Sequence, residues 1–419
     1  MRLHIKNGRV VDPASGKDGH GEIFIAEGRI SAEGGKADRV IDAKGLVVAP
    51  GFIDLSARLR EPGYEYKATL ESEMEAAVAG GVTSLACPPD TDPPLDEPGL
   101  VDMLRRRAKA LSRARVYPVG ALTVKLEGQA LTEMGQLTDA GCVAFSQANA
   151  PLPDTQVLWR ALQYAATFGY PVWLRAEDAW LAKGGVSHDG EIATRLGLPG
   201  IPAFAETIAL ATILELVRAT RARVQICRLS SAGGVELMRR AKQEGLPVSC
   251  DVGVHHVHLC DMDLGYFDSH CRLEPPLRSQ RDRDALSRGL ADGTVDCLCS
   301  DHTPVDEDGK HLPFAQAEPG ATGLELLLPL ALKWGQAQKL GLAATLARLT
   351  SEPARILGVA SGRLAPGAPA DVVLFDPDAS FSVKPETLKS QGKNTPFLGY
   401  EVQGRVRCTI VAGNVVYET

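Results

Sequence analysis

Aromatic residues are scarce in this chain of 419 residues: Phe, Trp and Tyr make up 5% of it, although 44% of its residues are hydrophobic. That balance suits an aliphatic α/β core. Basic charge is not in excess either, since 45 Lys and Arg stand against 52 Asp and Glu for a net charge of −7, which leaves no electrostatic footprint for nucleic acid. No apolar run approaches the roughly 20 residues of a membrane span. The start, Met1-Arg2-Leu3-His4-Ile5-Lys6-Asn7-Gly8, lacks the apolar region of a signal peptide. The nine cysteines are odd in number and scattered, and the one close pair, Cys297 and Cys299, sits in an apolar run. They read as reduced thiols rather than a disulfide framework, so the expected location is the cytoplasm. Internal repeats and low-complexity segments are missing as well. The length suits one large domain with a smaller one, or two to three modest ones.

What is present is organised around Ala49–Gly63. Ile53, Leu55, Ala57 and Leu59 alternate with polar positions between Pro50-Gly51 and Pro62-Gly63, the pattern of a short strand bounded by turns. Seven further apolar segments follow: Thr83–Cys87, Val116–Ala121, Cys142–Phe145, Val172–Arg175, Val224–Leu229, Val248–Val252 and Cys297–Ser300. Helical patterns lie between them, at Thr69–Ala79, Val157–Thr167, Ala205–Ala219 and Gly233–Gln243. The alternation predicts an α/β fold, a (β/α)8 TIM-type barrel over residues 49–362 with its chemistry at the C-terminal strand ends. Short strands with turn punctuation at both termini predict a small β-sandwich side domain built from residues 1–48 plus 363–419. Cys87–Pro98 and Asp301–Gly320 read as loops over the barrel mouth.

Several motifs occur in one order along the chain: Pro50-Gly51-Phe52-Ile53-Asp54, Gly80-Gly81-Val82-Thr83, Pro88-Pro89-Asp90-Thr91-Asp92-Pro93, Ala176-Glu177-Asp178, Gly197-Leu198-Pro199 with Ala205-Glu206, Pro275-Pro276-Leu277-Arg278 and Ser300-Asp301-His302-Thr303-Pro304. Together they resemble the dihydroorotases of the amidohydrolase superfamily, over nearly the whole chain. Gly362–Gly367 with Ala370-Asp371 is similar to that family's hinge into a side domain made from both termini.

The resemblance implies a zinc site in active relatives, held by two histidines on the first strand, a bridging carboxylate, two further histidines and an aspartate. Here the first-strand positions are Ser56 and Arg58, the bridging position falls on Gln147 or Ala148, and the later histidines are Arg175 and Arg228. Only Asp301 keeps the family residue. Serine is a poor zinc ligand, and a guanidinium has no lone pair to give. No metal and no catalytic residue are therefore expected, with Asp301 vestigial. Arg58, Arg175 and Arg228 would instead set three fixed charges around Asp301, unless they point into solvent, with Asp90, Glu177 and Glu274 as the nearest acids to balance them. Arg60 matches the family arginine that grips the substrate carboxylate, or it pairs with Glu61 or Asp90. Asp90 and Glu274 replace asparagines and would repel a substrate anion. His302 is retained. His256 and His258 with Asp301 form the one alternative metal set.

These substitutions point to a catalytically degenerate dihydroorotase-like protein. By resemblance its partner is aspartate carbamoyltransferase of pyrimidine biosynthesis, whose assembly such inactive subunits support, in a homo- or hetero-oligomer. The enzyme reading is an active cyclic amidohydrolase, interconverting dihydroorotate and N-carbamoyl-aspartate at an atypical metal site. A third reading is a binding module whose arginine pocket holds a small carboxylate or phosphate.

Overall fold

In the computed structural model, which describes residues 2–419, eight strands form one parallel sheet in chain order. They are Phe52–Asp54, Val82–Cys87, Arg115–Ala121, Ala144–Ser146, Val172–Leu174, Val224–Ile226, Val248–Gly253 and Cys297–Cys299. Both faces of such a sheet are covered, so its strands are mostly buried, and polar residues within them such as Asp54, Gln225 and Asp251 are buried with hydrogen-bond partners.

The first strand is shorter than its alternation suggests, because ladder pairing ends at Asp54. Beyond it Arg58 N donates to His302 O at 2.9 Å and His302 N donates to Ser56 O at 3.1 Å, so the barrel closes through a parallel bridge at Ala57. Ser56 and Arg58 are only 5% and 4% exposed. The alternation there separates barrel wall from barrel mouth, not core from solvent. Asp54 fixes the same seam by accepting from Ser300 N at 2.8 Å and from the Ser300 hydroxyl. Burial raises its carboxyl to about 6.

Several of the helices between strands start on side-chain N-caps. Thr69 caps Leu70–Ala79, Asp154 caps Thr155–Phe168, and Ser231 caps Ala232–Gln243. A short helix, Glu307–His311, interrupts the predicted loop Asp301–Gly320.

The chain termini share a second, mixed sheet. Leu3–Asp12, Lys17–Ala26, Arg29–Ser31, Arg39–Asp42 and Val47–Pro50 join Val372–Ser382, Glu401–Val411 and Asn414–Glu418. Val47–Pro50 ties the two ends together, running parallel to Leu3–Asp12 and antiparallel to Val372–Ser382. The sheet curls so that the turns at Gly28 and Gly413 both bond to Ala370, at 2.9 and 3.0 Å. Leu3, Ile5, Val10 and Ile25 thereby share one core with Val372, Leu374 and Ile410. Gly51, the junction to the barrel, lies so close to the Thr83 side chain that a Cβ there would collide with it. No helix among the described residues is long and apolar enough to cross a membrane.

Candidate functional site at the barrel mouth

Three arginines from three strand ends fill the mouth. Arg228 follows Val224–Ile226, and its Nη1 donates to Asp301 Oδ1 at 3.2 Å. Arg58 places Nη1 3.6 Å from the same oxygen and donates Nε to Asp90 Oδ2 at 2.7 Å. Arg175 does not reach Asp301. It makes a two-pronged contact with Glu177, at 2.9 and 2.6 Å, and a third bond to Glu274 at 2.8 Å. Convergence of all three on Asp301 is thus corrected: short contacts to Glu177 and Glu274 hold Arg175 on the other side of the mouth.

The shared partner is Asn149. Its side-chain oxygen accepts from Arg58 Nη2 at 3.2 Å and Arg228 Nη2 at 2.5 Å, while its backbone oxygen accepts from Arg175 at 3.4 Å. Thr303 takes the remaining Arg58 prong at 3.1 Å. Asn149 does not stand out in the sequence, and Thr303 is marked only as part of the Ser300–Pro304 motif. The one available signal for Asn149 is that it ends the segment in which the family's acidic pair is replaced.

Electrostatics follow from the pairing. Burial alone would lower the Arg228 value, yet Asp301 and neighbouring groups raise it. Burial would push the Asp90 carboxyl up, but the charge and hydrogen bond of Arg58 hold it below its ordinary 3.8. Arg60 is lowered by burial and then by Arg58. Its Nε donates to Pro304 O at 2.8 Å, and it pairs with neither Glu61 nor Asp90. Those two acids already have partners, Glu61 in Arg107 and Asp90 in Arg58.

The backbone is bent where these side chains start. Arg60, Ala148, Arg228 and Asp301 have φ values of 62°, 51°, 54° and 46°. Non-glycine residues adopt this region seldom, and such positions cluster at functional sites.

Of the other predicted residues, only Ser56 brings its side chain within hydrogen-bond distance of Asp301. Ser56 Oγ approaches Asp301 Oδ1 at 3.5 Å. Gln147 turns away, accepting from Thr123 at 3.0 Å and donating to Leu126 O at 2.8 Å. Ala148 offers no donor atom. His302, which the family resemblance makes a vestigial substrate-binding residue, bonds away from the arginine cluster. It is fully buried, its Nδ1 accepts from Gly323 N at 3.1 Å, and its Nε2 donates to Glu73 at 2.5 Å. His256 donates Nε2 to Pro275 O at 3.1 Å and His258 to Leu330 O at 2.8 Å, so the alternative metal set does not assemble.

The zinc implied by the family resemblance does not fit these residues. Asp301 Oδ1 is engaged by two arginines, guanidinium groups cannot ligate, and no His, Cys, Asp or Glu group of three among the described residues is placed to hold a metal ion. The donor set matches an ion-pair cluster, in which bidentate and charge-assisted bonds engage all three arginines and leave Arg228 Nε as the one buried nitrogen among them without a partner.

Comparison with known proteins gives the lineage. Residues 45–233 match the dihydro-orotase-like family model, and residues 201–417 match an amidohydrolase family model. A dihydroorotase-like protein of Pseudomonas aeruginosa is 45% identical over 423 residues, covering all of both chains. A dihydroorotase of Syntrophotalea carbinolica is 40% identical over 421 residues, covering 100% of this chain and 99% of that protein. Among solved structures, the L-hydantoinase (dihydropyrimidinase) of Arthrobacter aurescens superposes with a TM-score of 0.88 at 26% identity, covering 99% of this chain and 96% of that one. With full-length relatives at such identity, the chain belongs to the dihydroorotase-like family of amidohydrolases.

Proposed function

We propose that this protein is a catalytically silent dihydroorotase-like subunit that supports assembly of aspartate carbamoyltransferase. The observation that carries the loss of catalysis is the cluster of Arg58, Arg175 and Arg228 with Asp90, Glu177, Glu274 and Asp301, joined through Asn149. Hydrolysis in a metal-dependent amidohydrolase needs a metal to generate hydroxide near neutral pH. Side chains that form salt bridges across the mouth leave no donor set for one. The subunit role rests on resemblance to inactive homologues that accompany the transferase.

The test is co-purification from the source cell with metal analysis of the product. The reading expects a complex with aspartate carbamoyltransferase, no stoichiometric zinc, and no interconversion of dihydroorotate and N-carbamoyl-aspartate with or without added zinc. A second reading, an active cyclic amidohydrolase with an atypical site, is favoured by the relatives of 38–40% identity that carry the name dihydroorotase. Turnover above background that disappears in Asp301→Ala would establish it instead.

A further inference from the structure

Between the strand Val248–Gly253 and Glu274 the chain throws out a knuckle, Asp261–Asp268, reading D-M-D-L-G-Y-F-D. It contributes nothing to the arginine cluster. Met262 is 63% exposed, Tyr266 90% and Phe267 36%, while Leu264 is buried as its root. Single exposed apolar residues need no explanation, but three large ones within six residues form a patch.

The knuckle is braced. Cys260 N donates to Asp263 Oδ2 at 2.8 Å, Asp268 N to Leu264 O at 2.9 Å, and His270 N to Asp268 Oδ1 at 2.9 Å. Buried Lys310 anchors the following residue through Nζ to Ser269 O at 3.1 Å, and Ser269 Oγ returns to Lys310 O at 2.5 Å. Phe267 is held at φ 62°, and its ring meets Tyr266 edge-on with centroids 5.3 Å apart. An aromatic residue in this backbone region opposes its own preference, so the surrounding bonds hold the pair on display. Rigid Tyr and Phe side chains with Met are the residue types enriched at the centres of protein interfaces. Asp263 and Asp268 are exposed beside them, and among the described residues neither carboxylate lies within 4.0 Å of a Lys or Arg nitrogen.

We infer that this knuckle is the docking element for a partner protein: Tyr266 and Phe267 enter an apolar socket whose rim carries Lys or Arg to meet Asp263 and Asp268. The inference deepens, and rests on, the reading that the chain assembles with aspartate carbamoyltransferase. Charge selects this occupant over two others. An anionic lipid surface would be repelled by the same carboxylates. A second copy in a two-fold contact would bring like carboxylates together on a chain already at −7.

The test measures binding of the full chain to purified aspartate carbamoyltransferase from the same cell, by biolayer interferometry with sedimentation velocity. Tyr266→Ala is expected to weaken Kd by about 30-fold or more, as for an interface anchor. Asp263→Asn with Asp268→Asn, which remove the charge but keep an oxygen to accept from Cys260 N and His270 N, should also weaken it and flatten its salt dependence. Trp180→Ala, at another exposed aromatic (74%), should leave Kd unchanged, and each variant should keep the wild-type melting temperature. Wild-type binding that Tyr266→Ala leaves intact would overturn the docking surface alone. Wild-type protein that does not bind the transferase at all would overturn the subunit reading and this surface with it. Self-association through Tyr266 without transferase would make a second copy the occupant and overturn the inference.

Discussion

Asn149 and Asp301 hold the mouth together from its two sides, and their removal has different consequences. Asp301 is buried and neutralises parts of two guanidinium groups. Asp301→Asn leaves those charges short of a partner, and breaking a buried pair costs about 3–5 kcal/mol. Urea denaturation should show that loss with an unchanged m-value. Asn149→Ala removes an oxygen that accepts from Arg58 and Arg228 and so should cost about 1–3 kcal/mol. Asp90 adds a pH dependence whose sign is fixed. Its folded carboxyl lies below its ordinary 3.8, so its contribution is complete above that value and lost as pH falls through the lower folded one. Asp90→Asn should therefore be less stable than wild type at pH 7, with the gap closing in acid. Equal melting temperatures at pH 7 would contradict that assignment.

At the scale of elements, one buried carboxylate joins two helices. Glu206, in the helix Ala203–Thr220, accepts from Ser230 N at 2.7 Å, Ser230 Oγ at 2.6 Å, Ser231 N at 2.9 Å and Ser231 Oγ at 2.5 Å. Ser231 in turn caps the helix Ala232–Gln243. Glu206→Ala would strand several buried donors and should cost at least about 3 kcal/mol, read as a lower urea midpoint. Elements of this kind were legible from sequence, because period and punctuation act locally: all eight barrel strands and helices such as Ala203–Thr220 fall where apolar spacing puts them. Side-chain destinations at the mouth were not. Alternation predicts direction only along a regular strand, whereas Arg228, Ala148 and Asp301 follow strand ends with positive φ. Arg175, which is not one of these positive-φ residues, is drawn to Glu177 and Glu274 by their charge, and His302, next after Asp301, turns inward to Glu73. Asn149 carried only the signal of its place after Gln147 and Ala148, because its role exists only once three separate strand ends meet.

Across the whole molecule, an amidohydrolase frame is kept while its mouth is rebuilt from charge pairs. The motifs that survive, such as Asp54 on Ser300 and Glu206 on Ser230 and Ser231, close the barrel and seat its helices. Fold and chemistry thus rest on different residues. The most direct measurement of the central claim is zinc stoichiometry of protein purified from zinc-supplemented medium and dialysed against a mild chelator, for wild type and Asp301→Ala. The account predicts well under one zinc per chain in both, with no dihydroorotate turnover in either. One tightly held zinc per wild-type chain, lost together with turnover in Asp301→Ala, would contradict it.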